Sequence, residues 1–309
     1  MRASWIVGFV AASLGLSACG ATATIHSAVA SVGSSPNVQI QLTGTASGPG
    51  TTEAQQVLAV MSIDVDFSNP SGAALSQAGT AVNSEVTVNV GTATLADLRK
   101  VSGNDYLMIN PSALTNIPGV TLPTSEVNDI QLLLGGRWFE LPKGFIDSYL
   151  PKTSATAAET AKGQAAVAKI VDAISKLINT TTYTTLPNNG GFSQTGSLES
   201  VLTTLLPTIE SLEGTSTFTP PNVKGNYTLT LTMSGSSATG GSITITAPNG
   251  TQGNVRVGLQ AAITHNSDSV VAPVGATIVT KALLKELLSQ VGTAGIPTLS
   301  VSSPPLQEG

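Results

Sequence analysis

The chain has 309 residues, with 13 Lys and Arg against 18 Asp and Glu, which gives a formal net charge of −5 at pH 7. Only 10% of its residues are charged, whereas an average soluble domain has about 25%. So few cations on an acidic chain exclude nucleic-acid binding, which depends on Lys and Arg meeting phosphates. The same shortage excludes simple electrostatic attraction to anionic lipid.

Residues 1–18 are predicted to be a bacterial lipoprotein signal peptide. A positive charge at Arg2 precedes an apolar stretch over 5–18, which ends in Leu-Ser-Ala directly before Cys19, the only cysteine of the chain. Basic start, apolar middle and small residues at the cleavage point are typical of secretory signals. The apolar stretch is shorter than the roughly 20 residues of a membrane-spanning helix. The sequence therefore predicts Cys19 as the lipidation site, which becomes the first residue after cleavage.

The predicted anchor places the protein on the outer, extracytoplasmic face of the cell membrane. A lipoprotein cysteine carries at least two acyl chains, and two chains hold a protein on a bilayer firmly. Residues 19–36 are small and polar, and we expect them to form a flexible tether. His26 lies in this segment, where an imidazole is expected to be part of the spacer rather than a ligand.

From residue 37 onward, apolar and polar residues alternate in six segments. Such alternation predicts strands with one apolar and one wet face, which favours antiparallel pairing. An Asn-Gly pair at 249–250 predicts a hairpin between the last two segments. The apolar positions are Val38, Ile40 and Leu42; Ile63, Val65 and Phe67; Val86, Val88 and Val90; Tyr227, Leu229, Leu231 and Met233; Ile243 and Ile245; Val255, Val257, Leu259, Ala261 and Ile263.

Three segments show the 3.6-residue period of an amphipathic helix: 155–179, 197–212 and 280–291. Ser197 is a suitable N-cap for the second of them. The stretch 181–196 is rich in Thr, Asn and Gly, and it is predicted to be a loop between two sheet-forming halves. The order of strands, helices and strands predicts one α+β domain over 37–295, with helices packed on one face of a single antiparallel sheet. Residues 296–309 contain three prolines and are predicted to form a tail.

The sequence offers little for catalysis or metal binding. His265 is the one histidine outside the predicted tether, and we expect a turn histidine hydrogen-bonded to backbone or solvent, because a histidine base needs partners that no motif supplies here. Asp64 and Asp66 resemble the start of a calcium loop, but the later ligand positions are absent, which favours the wet face of a strand. We therefore predict a protein that is not an enzyme and holds no cofactor and no metal.

Two further groups of residues have simple structural interpretations. Asp97, Arg99 and Lys100 form a local charge cluster, predicted to be a solvated strand end. Trp138 could stack on a ligand, but a tryptophan in a short strand is more often part of a core.

The layout resembles the actinobacterial envelope lipoproteins of the LppX/LprG type and, more distantly, LolA. The resemblance is carried by the leader ending at Cys19, the strand-turn-strand segment 98–108, the Trp-containing segment 135–141, the Leu-rich helices at 155–179 and 197–212, and the strands from residue 226 onward. It implies a curved antiparallel sheet, a half-barrel, with helices across the concave face and an apolar cavity between them. Members of that family carry lipids or lipoglycans across the envelope.

Three functions follow from these expectations. The first is a membrane-anchored lipoprotein that binds or transfers an apolar ligand, a lipid or lipoglycan, in the cell envelope. The alternative is a structural or interaction lipoprotein of the cell surface, with no ligand cavity and with an envelope protein as partner. A third possibility, an enzyme that depends on His265, has no proposed substrate.

Overall fold

The computed structural model describes residues 21–78, 81–120, 131–132, 134–142, 183–200, 203 and 224–280. Cys19 lies outside this part of the chain. The described residues form one open sheet of twelve strands in the order β12-β6-β5-β4-β3-β2-β1-β11-β10-β9-β8-β7. The strands are β1 Asn37–Ser47, β2 Met61–Ser68, β3 Asn83–Val90, β4 Ala93–Val101, β5 Asn104–Ile109, β6 Trp138–Leu141, β7 Thr184–Thr185, β8 Gly191–Ser197, β9 Asn226–Ser234, β10 Ser237–Pro248, β11 Asn254–His265 and β12 Thr277–Ile278.

Strand β1 lies in the middle of the sheet, with the other strands on its two sides. Strands β2 to β6 follow one another on one side, and β11 back to β7 lie on the other. Every neighbouring pair is antiparallel except β12 and β6. The prediction of a single sheet is confirmed for the described residues, but the sheet is mixed rather than purely antiparallel. The exception arises because the chain crosses from β11 over the sheet and reaches β6 running in the same direction.

All six segments with alternating apolar residues lie in strands, as predicted. The segment 98–108 is a strand-turn-strand, in which Ser102 and Gly103 both have positive φ, the geometry of a two-residue hairpin turn. The Asn-Gly pair at 249–250 lies in the turn between β10 and β11, where Pro248 pairs with Asn254.

The predicted loop 181–196 is wrong in part, because it contains β7 and most of β8. Strand β8 has no run of alternating apolar residues, since Phe192 is its single large apolar side chain. Its backbone nevertheless pairs with β9 over seven residues, from Gly191 opposite Thr232 to Ser197 opposite Asn226. Main-chain pairing with a strong neighbouring strand therefore decided a structure that side-chain pattern did not indicate.

Two described α-helices differ from the sequence-based expectations. Helix α1 spans Ala21–Ser34, where a flexible tether was expected. Ala28 on this helix is fully buried against Met233 and Ala238, so packing on the sheet stabilises a helix that composition did not predict. Helix α2 spans Thr52–Val60 and lies between β1 and β2, where no helix was expected.

The three predicted helices fall largely outside the described residues. Residues 155–179 and 280–291 lie outside them, apart from Thr280, as does the tail at 296–309. The start of the helix at 197–212 is described: residues 198–200 are helical. The hydroxyl of Ser197 accepts a hydrogen bond from the backbone N of Ser200 at 3.1 Å, so the predicted N-cap is confirmed.

Residues 266–276, which we call the strap, cross the sheet from the end of β11 to β12. Each of the first four strands provides one side chain that binds the strap. Asn37 and Asn83 donate to the carbonyl oxygens of Ser267 and Val270. The hydroxyl of Ser68 accepts from the backbone N of Val270 at 3.0 Å, and Arg99 donates to the carbonyl oxygen of Val271 at 3.3 Å.

Candidate apolar binding site

Alternation along the strands and the register between them place the large apolar side chains on one face of the sheet, the apolar face. In β1, Val38, Ile40 and Leu42 stand opposite Phe67, Val65 and Ile63 of β2. On the other side of β1, Ile40 stands opposite Ile263 of β11. Since side chains directly opposite each other point to the same face, this apolar surface extends without interruption across the strands of both halves.

Five aliphatic side chains on β9, β10 and β11 form an exposed part of this face, which we call the apolar patch. Register places Ile243 between Leu229 and Leu259, and Ile245 beside Val257. Each of the five is between 36% and 49% exposed. A contiguous group of exposed aliphatic side chains is uncommon on a soluble surface and marks a site of interaction. The members of the patch are Leu229, Ile243, Ile245, Val257 and Leu259.

The two described helices border the patch. Helix α1 covers the end of the apolar face near the β9–β10 turn, where Val32 of the helix and Ile263 of β11 both pack against the cluster of Ala28, Met233 and Ala238. Helix α2 approaches β1 at Gly44, which stands opposite Leu259. A Cβ atom at Gly44 would lie only 2.5 Å from Cδ2 of Leu58, so the absence of a side chain there permits the close approach of α2. The patch is thus a stretch of open sheet beside two helices.

A polar pair borders the patch on the side of β8. Tyr227 stands opposite Ile245, and its hydroxyl oxygen accepts a hydrogen bond from Nε2 of Gln194 at 3.3 Å. Both side chains are buried, and the tyrosine ring lies where a side chain on Gly196 would be. Tyr183 lies nearby, and burial, with a smaller contribution from Tyr227, raises the pKa of its phenol to about 12. The phenol of Tyr183 is therefore uncharged at neutral pH.

No charged side chain belongs to the apolar face of the described strands β7 to β11. Arg256, the single Lys, Arg, Asp or Glu in those strands, stands opposite Thr246 and Ser47, on the polar face. The site can therefore bind a ligand by burying hydrocarbon, and it offers no charge for an ionic headgroup. Hydrophobic surface of this kind contributes about 0.8 kcal/mol for each buried methylene.

His265 has a structural role in the described part of the chain. It ends β11, its Nε2 donates to the carbonyl oxygen of Ala238 at 2.7 Å, and its Nδ1 accepts from the hydroxyl of Ser35 at 2.9 Å. The expected turn histidine bonded to backbone is confirmed, and both ring nitrogens are occupied. His26 lies within α1 rather than in a tether.

The polar face carries a compact group of ionisable residues. Arg99 forms ion pairs with Glu85 at 3.0 Å and with Asp97 at 2.9 Å, and its guanidinium lies 4.5 Å from the ring centre of Trp138. The prediction of a solvated strand end is wrong for Asp97, which is buried, because the strap covers this part of β4. Trp138 packs beside the cluster of Val101, Tyr106 and Val270, as expected for a core residue.

Burial raises the pKa of Glu85 to about 7, and the charge of Asp97 adds to this rise, while Arg99 opposes it. Burial also raises the pKa of Asp66, which accepts a hydrogen bond from Gln39. Asp64 accepts from Nδ2 of Asn89 at 2.7 Å, so both aspartates lie on the polar face as predicted. The described residues hold no group of three or more His, Cys, Asp or Glu side chains arranged to bind a metal ion.

Sequence reasoning found the strands of the apolar patch but not the patch itself. The alternating pattern marks Ile243 and Leu259 as apolar-face residues in the same way as Val38, which is fully buried. The signal that could have indicated the patch was the presence of Gly44 and Ala46 on β1. These small residues leave the β11 side chains opposite them without a large cross-strand partner.

Comparison with known proteins finds no family model that matches the chain and no curated protein that matches it. Within the described residues, no helix combines the length and hydropathy needed to cross a bilayer.

Proposed function

We propose that the protein is a membrane-anchored lipoprotein that binds or transfers an apolar lipid or lipoglycan in the cell envelope. The observation that carries the proposal is the apolar patch: five exposed aliphatic side chains, in register on three adjacent strands, with no charge on the same face of those strands. Acylation of Cys19 supplies the anchor, and the protein lies on the extracytoplasmic face of the membrane.

The proposal includes a finer description of the fold. The sheet is a curved half-barrel, and the helices predicted at 155–179, 197–212 and 280–291 lie across its concave, apolar face. Their apolar stripes complete the walls around the patch and leave a cavity for hydrocarbon chains. The positions of α1 and α2 support this arrangement, because both approach the apolar face, through Ala28 and through Leu58.

Ligand binding is proposed without catalysis. The ring nitrogens of His265 are engaged by Ser35 and Ala238, and the carboxylates near Arg99 lie on the polar face, away from the patch. The patch itself offers aliphatic groups with no nucleophile among them. Transfer of an intact lipid requires no bond to break, so this chemistry is sufficient for the function.

The test is native mass spectrometry, with solvent extraction, of protein purified from its own membrane. The wild type is expected to carry a stoichiometric apolar ligand, and I243N with L259N is expected to lose most of it, because two amides would be buried against hydrocarbon. T244N is the matched control, since Thr244 is the next residue of β10 and points to the polar face. An empty wild-type protein, or equal ligand in all three, contradicts the proposal.

A second candidate function rests on the strap and on β12, which follows it. Val271 and Val274 of the strap and Ile278 of β12 are exposed, Val274 by 99%. The strap lies on the polar face, where Arg99 donates to the carbonyl oxygen of Val271. These aliphatic side chains favour a contact surface for an envelope protein, as in a structural or interaction lipoprotein. Cross-linking in cells that captures the same protein with wild type, but not with V274D, supports this function.

A further inference from the structure

We propose that one end of the domain faces the surface of the bilayer that anchors it, and that the apolar patch is held away from that bilayer. This inference rests on the proposed function, because it takes the acyl anchor at Cys19 as given. The helix end, as we call it, consists of α1 and the neighbouring connections 69–78, 187–190 and 234–237.

The distance between the anchor and the folded domain is short. Ala21, the first described residue of α1, is separated from Cys19 in sequence by Gly20. A flexible tether of 18 residues would have let the domain rotate freely above the membrane. With a helix in its place, the anchor leads directly into a rigid element, and the attachment of that element decides which part of the domain lies next to the lipid.

Helix α1 is attached to the sheet at several points along its length. Ala28 is fully buried against Met233 and Ala238. The backbone N of Ala238 donates to the hydroxyl of Ser31 at 3.2 Å, and His265 joins the segment after the helix to the same hairpin. These contacts hold α1 at the ends of β9 and β10, so residue 21 lies about 10 Å of helix from Ala28.

The distribution of charge agrees with this orientation. The segments of the helix end, 21–36, 69–78, 187–190 and 234–237, contain no Asp, Glu, Lys or Arg. The charges nearest to them are Asp268 in the strap and the pair Lys100 and Asp105, which flank the β4–β5 turn farther along the same end of the sheet. The opposite end of the same strands carries Glu53, Glu199, Lys224 and Arg256. Anionic lipid repels an acidic protein over about a Debye length. An uncharged surface of small polar residues can lie against such a bilayer without that repulsion.

The orientation separates the patch from the anchoring membrane. Ile243 is six residues along β10 from Ser237, the residue at the helix end. At about 3.3 Å per residue, this places the patch about 20 Å further from the bilayer along the strand. The ligand would therefore be exchanged with a partner that approaches from the periplasmic or outer side, rather than directly with the leaflet that holds the protein.

The experiment uses the lipidated full chain in vesicles of phosphatidylcholine and phosphatidylglycerol. An environment-sensitive fluorophore is attached to S236C at the helix end or to T251C at the opposite end, both exposed positions. Acylation of Cys19 leaves the introduced thiol as the reactive one. Nitroxide on the lipid headgroups is expected to quench the S236C label several-fold more than the T251C label. A Gly-Ser spacer inserted between Gly20 and Ala21 is the control, and it is expected to remove the difference.

Equal quenching at both positions, or stronger quenching at T251C, overturns the orientation. Mass spectrometry of the same protein reports acylation, and a chain without acyl mass overturns both the anchor and this inference. Ligand extraction is measured separately. An acylated protein that shows the quenching difference but carries no ligand would contradict the proposed function and leave the orientation intact.

Discussion

Asn83 binds Val270 of the strap through a hydrogen bond from its Nδ2 to the carbonyl oxygen, at 3.1 Å, in a buried position. The Oδ1 of the same side chain accepts from the backbone N of Ser102 at 3.1 Å. One amide thus joins β3, the β4–β5 turn and the strap. Because β3 lies inside the sheet, this side chain links a distant part of the sequence to the first half of the fold.

We expect N83A to destabilise the protein by about 2 kcal/mol, because it leaves the buried carbonyl oxygen of Val270 and the partly buried backbone amide of Ser102 without their partner. Urea denaturation followed by circular dichroism measures the change. T87A is the matched control, since Thr87 lies on the same face of β3 and its hydroxyl donates to Glu85 at 3.4 Å. Equal losses of stability in the two variants would contradict a special role for Asn83.

Glu85 makes folding stability depend on pH. Its pKa rises from an ordinary value of 4.5 to about 7 in the folded protein. The folded state therefore keeps a proton that the unfolded state has lost, and the free energy of unfolding falls as pH rises from about 4.5 to about 7. E85Q removes this dependence, so its stability relative to wild type is expected to rise by about 1 to 2 kcal/mol between pH 4.5 and pH 8, after allowance for solvent screening.

Chemical denaturation of wild type and E85Q at both pH values gives the measurement. E85Q also changes the contact between this side chain and Arg99, which affects stability at both pH values, so the informative quantity is the difference between the two pH values. A parallel pH profile for both proteins would show that Glu85 ionises normally.

Gly44 controls the position of α2. We expect G44V to cost about 1 to 3 kcal/mol, because a side chain there occupies the space of Leu58. In G44V/L58A that space is free again, so the two substitutions are expected to cost less together than the sum of their separate effects. A thermodynamic cycle of wild type, the two single variants and the double variant measures the coupling energy. A value near zero would mean that α2 moves away at no cost.

His265 joins α1 to the β9–β10 hairpin. H265A is expected to lower stability by about 1 to 3 kcal/mol, because the carbonyl oxygen of Ala238 and the hydroxyl of Ser35 lose their partners. Limited proteolysis should then cut near residues 34–36 sooner than in the wild type. T264A, next to it on the other face of β11, is the control. Unchanged cleavage at this site in H265A would exclude the joining role.

The strands show how much of the fold can be predicted from the local alternation of apolar and polar residues. The pattern in β1, β2, β3, β9, β10 and β11 repeats every two residues, and a one-residue change of register would move every apolar side chain to the polar face. Their existence and their apolar face therefore followed from the sequence. The existence of β8 did not follow from the sequence. Its structure depends on main-chain pairing with β9, and such pairing does not require a particular pattern of side chains.

Helix α1 shows the opposite case. Its residues are small, without charges in the first or last turn, and resemble a spacer. It is helical here because Ala28 fits between Met233 and Ala238, a contact across more than 200 residues of sequence. Likewise, the residues next to Asp97 in the sequence do not indicate that it is buried. The strap, which contains Val270 and belongs to the second half of the chain, covers it.

The sequence by itself determined which segments are strands, which of their faces is apolar, and the charge-poor character of the surface, because these depend on residue type and spacing along a single segment. Only the tertiary structure decided that the strap crosses the sheet to β6, that α1 packs on the β9–β10 hairpin, and that five aliphatic side chains stay exposed. Those outcomes depend on which distant segments cover a given strand. The spacing of apolar residues along one segment does not determine which distant segment it contacts.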